Sequence, residues 1–165
     1  MTGAVREAAW AKLNLSLGAL GTRPDGFHDL RMIMQSVDLH DDVTVTLDDS
    51  GVCRAETNRS YLPCGADNVA VRAAQVFLSR AGLTCGVHIR LHKRIPVCAG
   101  LGGGSSDAAA VLRALNRLTG AGFSRAQLEE LGALVGSDVP YCVAGGTMLA
   151  EGRGERLTPV TPMPH

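Results

Sequence analysis

The stretch "PVCAGLGGGSSDAAAVL", from Pro96 to Leu112, places three consecutive glycines and two serines before an alanine-rich segment with a helical pattern. Glycine has no Cβ, so it adopts positive φ angles and lets a ligand come close to the main chain. The first turn of a helix has N–H groups without intrahelical partners, and the helix dipole adds partial positive charge there. A loose connection is the alternative, but three adjacent glycines are entropically costly for that purpose. The pattern therefore predicts a phosphate site, where Ser105 and Ser106 either cap the helix or donate hydroxyls to phosphate oxygens.

Two common phosphate-binding loops do not fit this stretch. A Walker A loop continues with Lys and Ser or Thr after its last glycine, whereas Gly104 is followed by Ser105. The dinucleotide pattern G-x-G-x-x-G, started at Gly100 and Gly102, has Ser105 where the third glycine belongs. The loop is therefore of another kind.

Composition narrows the class of protein. The chain has 165 residues, of which 45% are hydrophobic, and this suits a single globular domain. Basic and acidic residues balance at sixteen each and aromatic residues make up 4%, so neither a basic patch nor a stacking platform for nucleic acid is evident. Five cysteines without a CxxC pair are typical of reduced thiols in a cytoplasmic protein. No signal-like or membrane-length apolar run occurs, so we expect no membrane association.

The order of the elements predicts a mixed α+β fold. In the first third, "AKLNLSLGAL" alternates with Leu13, Leu15 and Leu17 on one face, which is typical of a strand. "DDVTVTLDD" and "CGVHIRLHK" alternate in the same way. Three helices are predicted: one that Asp67 caps and Gly82 ends, one from Ser105 or Ser106 to Thr119, and one over Ser124–Val135 whose capping box pairs Ser124 with Gln127.

The motif "PVCAGLGGGSSDAA" resembles the second signature of the GHMP kinases. "AKLNLSL", "RPDGFHDL", "DNV", "GSDVPY" and "EGRGERLTPV" resemble, in order and spacing, the branch of that family that acts on a cytidine diphosphate conjugate of methylerythritol; the likeness runs from Ala11 to Val160. The resemblance implies a ribosomal protein S5 domain 2-like fold. It also implies transfer of the γ-phosphoryl group of ATP, with Mg²⁺, to the 2-hydroxyl of the methylerythritol unit in the non-mevalonate pathway of isoprenoid and terpenoid precursor biosynthesis.

The resemblance also assigns roles to individual residues. Lys12 and Asp138 match the catalytic lysine and aspartate of the family, and Asn14 matches an active-site position that would bind the substrate. Phe27 and His28 match the pair that stacks on and hydrogen-bonds to the cytosine. Without the family, Lys12 would be interpreted as a surface lysine and Asp138 as a helix cap.

Further matches concern the nucleotide. Asn68 and Lys93 match positions near the adenosine, although Asn68 could instead be only a first-turn helix residue and Lys93 a solvated strand end. Lys93 and Lys12 are the only lysines in a chain whose other fourteen basic residues are arginines. The protein ligands of Mg²⁺ are left unassigned, with Ser106 as a candidate contributor. The segment expected to wrap the ATP phosphates, chiefly through main-chain N–H groups, consists of Pro96, Val97, Cys98, Ala99, Gly100, Leu101, Gly102, Gly103, Gly104, Ser105 and Ser106.

Members of the family carry a second domain of similar size. We therefore expect residues 1–160 to form the N-terminal, ATP- and substrate-binding domain and residues 161–165 a tail or linker, with the C-terminal domain absent. The surface exposed in this way could drive self-association, and the activity of the chain alone is left open. Three alternatives remain. One is another GHMP kinase, such as one for mevalonate or homoserine, against which "RPDGFH" argues. The others are a nucleotide-binding module without catalysis and an S5-like RNA-binding domain.

Overall fold

A computed structural model of the chain describes residues 3–22, 28–152, 154 and 156–162. Six strands and four helices lie within these ranges. In chain order they are β1 (Ala4–Thr22), β2 (His28–Asp48), β3 (Cys53–Thr57), α1 (Val69–Ala81), β4 (Gly86–His92), α2 (Gly103–Thr119), α3 (Arg125–Ala133), α4 (Val139–Ala144), β5 (Thr147–Gly152) and β6 (Arg156–Pro159).

The strands form one six-stranded sheet built around β2. The long strand β2 pairs antiparallel with β1 along one edge. Its other edge is shared, because β5 pairs with residues 30–35 and β4 with residues 42–48. β3 joins β4 in parallel through the crossover helix α1, and β6 joins β5. The predicted mixed α+β class is confirmed.

The helices cover one part of this sheet and enclose the main core. α1 and α2 pack on each other, and α2 also packs on β1. Val87, Ile89 and Leu91 of β4 are buried, while Arg90 and His92 between and after them are exposed, which confirms the predicted alternation. The strand that precedes the glycine loop is therefore anchored by its inward-facing side chains.

Helix ends follow the sequence in two cases. Gly82 ends α1 in the left-handed conformation with φ 66°, as predicted. The capping box of Ser124 and Gln127 at the start of α3 is also present. The helix itself runs over Arg125–Ala133 and is therefore shorter than the predicted Ser124–Val135.

Two predicted helix starts are wrong. Asn68, not Asp67, caps α1, because its Oδ1 accepts a hydrogen bond from the amide of Ala70 at 2.9 Å. α2 begins at Gly103, not at Ser105 or Ser106, and its N-cap is Gly102 with φ 69°. The carbonyl of Gly102 accepts from the amide of Ser106 at 2.8 Å and so closes the first turn.

Strand β1 departs from the predicted simple alternation. The register with β2 shifts between Asn14 and Ser16, where β1 has one extra residue. Leu13 consequently lies opposite Gln35 and Leu17 opposite Met32, so the two leucines are on different faces of the sheet. The prediction of one shared face was wrong. The leucines at positions 13, 15 and 17 are 40%, 42% and 62% exposed.

Within the described ranges, no helix is both long and apolar enough to cross a membrane.

Candidate functional site

The glycine loop and the first turn of α2 form one wall of a cavity of about 520 Å³. The segment before α1 contributes to the lining, and so do side chains from β1 and from the residue that precedes α4. The lining residues are Lys12, Leu62, Pro63, Asp67, Asn68, Val69, Leu91, Lys93, Ile95–Gly104, Ser105, Asp107 and Asp138.

Main-chain N–H groups are available in this wall. The amide of Ser106 is the first in α2 that donates to a protein acceptor. Among the residues described by the structure, the amides of Gly103, Gly104 and Ser105 donate to none, and the N-cap Gly102 has no side chain to satisfy them. Three free donors therefore lie at the positive end of a 17-residue helix.

The three glycines differ in how much room the surrounding protein leaves for a side chain. A Cβ on Gly102 would lie 2.9 Å from Cγ of Lys12, and its φ of 69° is left-handed. A Cβ on Gly103 would lie 3.1 Å from Cγ2 of Ile95 and 3.3 Å from Nζ of Lys93. A side chain at Gly102 would therefore clash with Lys12 and strain the backbone, whereas one at Gly103 would require Ile95 and Lys93 to shift by a few tenths of an ångström. At Gly104 the nearest atom would be Cγ2 of Val69 at 3.8 Å, so the protein itself leaves room for a side chain there.

Lys12 and Asp138 meet in the same cavity although 126 positions separate them in the chain. Nζ of Lys12 lies 3.3 Å from Oδ2 of Asp138 and donates to Oδ1 of Asn14 at 3.4 Å. The lysine is no surface residue, because its side chain is 7% exposed, whereas that of Asp138 is 33% exposed. The amide of Lys12 donates to the carbonyl of Leu101 at 3.0 Å, which ties β1 to the glycine loop.

The helix-cap interpretation of Asp138 does not hold. Asp138 is the N-cap residue of α4, but its side chain makes no capping hydrogen bond. Its carboxylate instead faces Lys12, and about one third of that side chain remains accessible. The arrangement provides an ion pair that a ligand in the cavity can reach.

Two other predicted residues line the cavity with their polar ends already engaged. Asn68 caps α1 and donates through Nδ2 to the carbonyl of Pro63 at 2.7 Å. Lys93 is 4% exposed and therefore is not a solvated strand end; its ammonium group contacts the carboxylates of Asp41 and Asp107. Neither Asp41 nor Asp107 is among the site residues predicted from the sequence.

Ser105 and Ser106 have different surroundings. Ser105 lines the cavity, whereas Ser106 is buried, does not line it and donates its hydroxyl to the carbonyl of Trp10. The expectation that the Ser106 hydroxyl reaches a phosphate is therefore not supported by its contacts. Asn14 adjoins the Lys12–Asp138 ion pair through the hydrogen bond that its Oδ1 accepts from Lys12. Phe27 and the side chain of His28 lie outside the described residues, although the backbone of His28 begins β2.

Similarity to known proteins agrees with this arrangement. Residues 68–146 match the GHMP kinases N terminal domain, the segment that contains the glycine loop and Asp138. Residues 68–146 of the chain therefore form the N-terminal domain of the GHMP kinases.

The chain is similar over most of its length to curated proteins named 4-diphosphocytidyl-2-C-methyl-D-erythritol kinase. It is 51% identical to the 4-diphosphocytidyl-2-C-methyl-D-erythritol kinase of Geobacter metallireducens over 93% of this chain and 55% of the relative. It is 52% identical to the protein of the same name from Gloeobacter violaceus, over 94% of this chain and 51% of the relative. The chain thus spans about half the length of the curated relatives it matches.

Solved structures give the same result. A crystal structure of 4-(cytidine 5'-diphospho)-2C-methyl-D-erythritol kinase superposes with a TM-score of 0.80 at 42% identity, covering 94% of this chain and 55% of that one. A homoserine kinase from Cytophaga hutchinsonii superposes with a TM-score of 0.70 at 21% identity, covering 89% and 48%. The second likeness shows that the fold is shared, and the predicted fold family is confirmed.

Proposed function

We propose that this chain binds ATP in the glycine-lined cavity and supplies the catalytic pair of a kinase for 4-diphosphocytidyl-2-C-methyl-D-erythritol. The γ-phosphoryl group of ATP would pass to the 2-hydroxyl of the methylerythritol unit. The observation that carries the proposal is the Lys12–Asp138 ion pair, 3.3 Å apart, in the wall of a cavity where three helix amides have no acceptor among the described residues.

The chemistry of the wall fits a triphosphate. The amides of Gly103, Gly104 and Ser105 would donate to phosphate oxygens, and the dipole of α2 favours negative charge at the same point. The room at Gly104 lets an oxygen approach the main chain closely. Asn68 and Lys93 would shape the site by holding the segments around it, since their own polar groups are bound by the protein.

Asp138 would act as the general base. A sugar hydroxyl is a poor nucleophile, and a carboxylate that accepts its proton assists attack on phosphorus. Lys12 would hold its positive charge beside that carboxylate and stabilise negative charge that develops on the transferred group. Asn14, which accepts a hydrogen bond from Lys12, would orient the ammonium group and contact the substrate with Phe27 and His28.

Mg²⁺ would bind together with the triphosphate of ATP. No group of three or more His, Cys, Asp or Glu side chains in the described part of the chain could hold a metal ion by itself. Mg²⁺ on a nucleotide takes most of its ligands from phosphate oxygens and water, so the cavity suits it without such a group. When bound, the ion would neutralise charge on the phosphate oxygens.

The choice of substrate rests on relatives rather than on the cavity. Proteins at 51% and 52% identity carry the name of this kinase, and the segment "RPDGFH" resembles the one that handles the cytidine. We propose accordingly a cytoplasmic enzyme whose partner is this small molecule.

A phosphoryl-transfer assay tests the proposal. The chain is incubated with ATP, Mg²⁺ and the cytidine substrate, alone and with the second half of the Geobacter metallireducens relative added as a separate polypeptide. Lys12→Ala and Asp138→Asn should each lower turnover by at least about 100-fold. Glu129→Gln is the matched control, because Glu129 is a carboxylate of similar exposure, 25%, on α3 and away from the cavity.

Each outcome decides between the alternatives. Full activity in both variants would refute the catalytic assignment. Binding of ATP without turnover in the supplemented mixture would favour a nucleotide-binding module. Turnover of mevalonate or homoserine instead of the cytidine substrate would move the chain to another branch of the family.

A further inference from the structure

Beneath the glycine loop lies a buried cluster of three charged side chains, Asp41, Lys93 and Asp107. They come from β2, from the segment after β4 and from α2, and they are 0%, 4% and 3% exposed. Nζ of Lys93 donates to the carboxylate of Asp41 and to Oδ2 of Asp107, the latter at 2.5 Å. We call these residues the acid–lysine cluster. The catalytic chemistry proposed above does not use them.

The cluster holds the loop in place. Oδ1 of Asp41 accepts from the amides of Arg94 and Ile95 at the point where the chain leaves β4. Lys93 itself is fixed by Asn58, whose Oδ1 accepts from its amide at 2.8 Å. Its ammonium group lies so near Gly103 that a Cβ there would be 3.3 Å away. The cluster is thus directly behind the free amides of α2.

The charges of the cluster do not balance. Two carboxylates and one ammonium group leave one net negative charge when all are ionised. Lys93 and Asp107 also line the cavity, so that charge would repel a bound triphosphate. Both oxygens of Asp41 are engaged, but Oδ1 of Asp107 is buried and has no hydrogen-bond partner in the described structure. Asp107 is therefore the member that can take up a proton.

The acidity of the groups agrees with this assignment. Burial raises the pKa of Asp107 to about 7, against the opposing effect of Lys93 and with a further contribution from Asp41. Burial acts to lower the pKa of Lys93, but its two carboxylate partners outweigh burial, so its pKa is raised and it remains charged. Other charged groups along the same cavity are Lys12 of β1, Asp67 before α1 and Asp138 before α4.

We propose that Asp107 is a positioning residue that takes up one proton when the cavity binds a triphosphate. The proton comes from the solvent and binds Oδ1, so the charge of the cluster changes from minus one to zero. Lys93 stays between the two side chains and keeps the loop in its place behind the phosphates. The inference rests on the proposed function, because it requires a triphosphate in this cavity.

Calorimetric titration with ATP and Mg²⁺ at about pH 8, in two buffers of different ionisation enthalpy, measures the proton uptake. We expect the chain to take up a substantial fraction of a proton per bound ATP. We also expect its affinity to weaken towards alkaline pH, by at most about tenfold per pH unit. Asp107→Asn keeps the shape and the contact to Lys93 but cannot titrate, so it should bind ATP without that uptake and with a flatter pH profile. Asp67→Asn, a second carboxylate of the cavity wall, should retain the uptake.

Binding of ATP with equal heats in both buffers, or the same uptake in Asp107→Asn, would overturn the inference and leave the proposed function standing. No binding of ATP at all would refute the proposed function and the inference with it. If Asp107→Asn does not fold, the carboxyl ¹³C resonance of Asp107 in the unchanged chain decides. Its pKa should rise when ATP is added, and an unchanged pKa would overturn the inference.

Discussion

Replacement of Gly104 by alanine should stabilise the fold and weaken the binding of ATP. The new Cβ would lie 3.8 Å from Cγ2 of Val69, which is ordinary contact, and the residue is at the second position of α2. Alanine in a helix is favoured over glycine by up to about 1 kcal/mol, so the free energy of unfolding should rise by no more than that amount. The effect on folding is therefore small and positive.

The effect on binding has the opposite sign. In a helix each Cβ is tilted towards the N-terminus, which at Gly104 is the side of the cavity. A phosphate oxygen that accepts from these amides would be about 2.9 Å from nitrogen and would meet the added methyl group. We expect the affinity for ATP to fall by at least about tenfold, which is about 1.4 kcal/mol.

Urea denaturation and calorimetric titration measure the two effects on the same samples. Gly82→Ala is the reciprocal control, because Gly82 has φ 66° at the end of α1 and does not line the cavity. It should lose about 1–2 kcal/mol of stability and bind ATP with unchanged affinity. A Gly104→Ala chain that binds ATP as tightly as the original would refute the reasoning, since phosphate would not then approach this part of the helix.

Three more predictions concern folding and binding. Asn68→Ala removes the cap of α1 and should lower the free energy of unfolding by about 1 kcal/mol in urea denaturation. Ser106→Ala should lower stability by about 1–2 kcal/mol by breaking its bond to Trp10, with little change in ATP affinity, whereas Ser105→Ala should show the reverse pattern. The ordinary pKa of the Asp107 carboxyl is 3.8, and burial in the folded chain raises this pKa to about 7. Between these two pH values the folded chain therefore binds a proton that the unfolded chain has lost. Unfolding free energy measured across this pH range should therefore fall as pH rises, and Asp107→Asn should remove that fall.

Local sequence patterns were sufficient to predict the strand that leads into the site. The alternation of "CGVHIRLHK" predicted β4 and its buried face, because one face of the strand packs against the helices. The start of α2 could not be predicted in this way. Gly103 and Gly104 have poor helix propensity, so the sequence favours the two serines as caps. The helix begins earlier because Gly102 adopts the left-handed conformation and closes the first turn.

Contacts between distant parts of the chain could not be predicted from the residue patterns. The ion pair of Lys12 and Asp138 depends on how β1 lies against the glycine loop, and the resemblance alone suggested it. Asp41 and Lys93 were not connected, since charged residues are rarely buried and a run of polar residues suggests a solvated surface. The extra residue at Leu15 in β1 could not be predicted, because the alternation of leucines in the sequence continues through it.

The central claim, that unpaired amides at the start of α2 bind a triphosphate, is tested most directly by amide NMR. ATP with Mg²⁺ is titrated into ¹⁵N-labelled chain, and the resonances of Gly103, Gly104 and Ser105 are followed. The account predicts that these three shift saturably and together, while that of Gly82, away from the cavity, stays in place. Saturable binding of ATP that leaves the three resonances unmoved would contradict it.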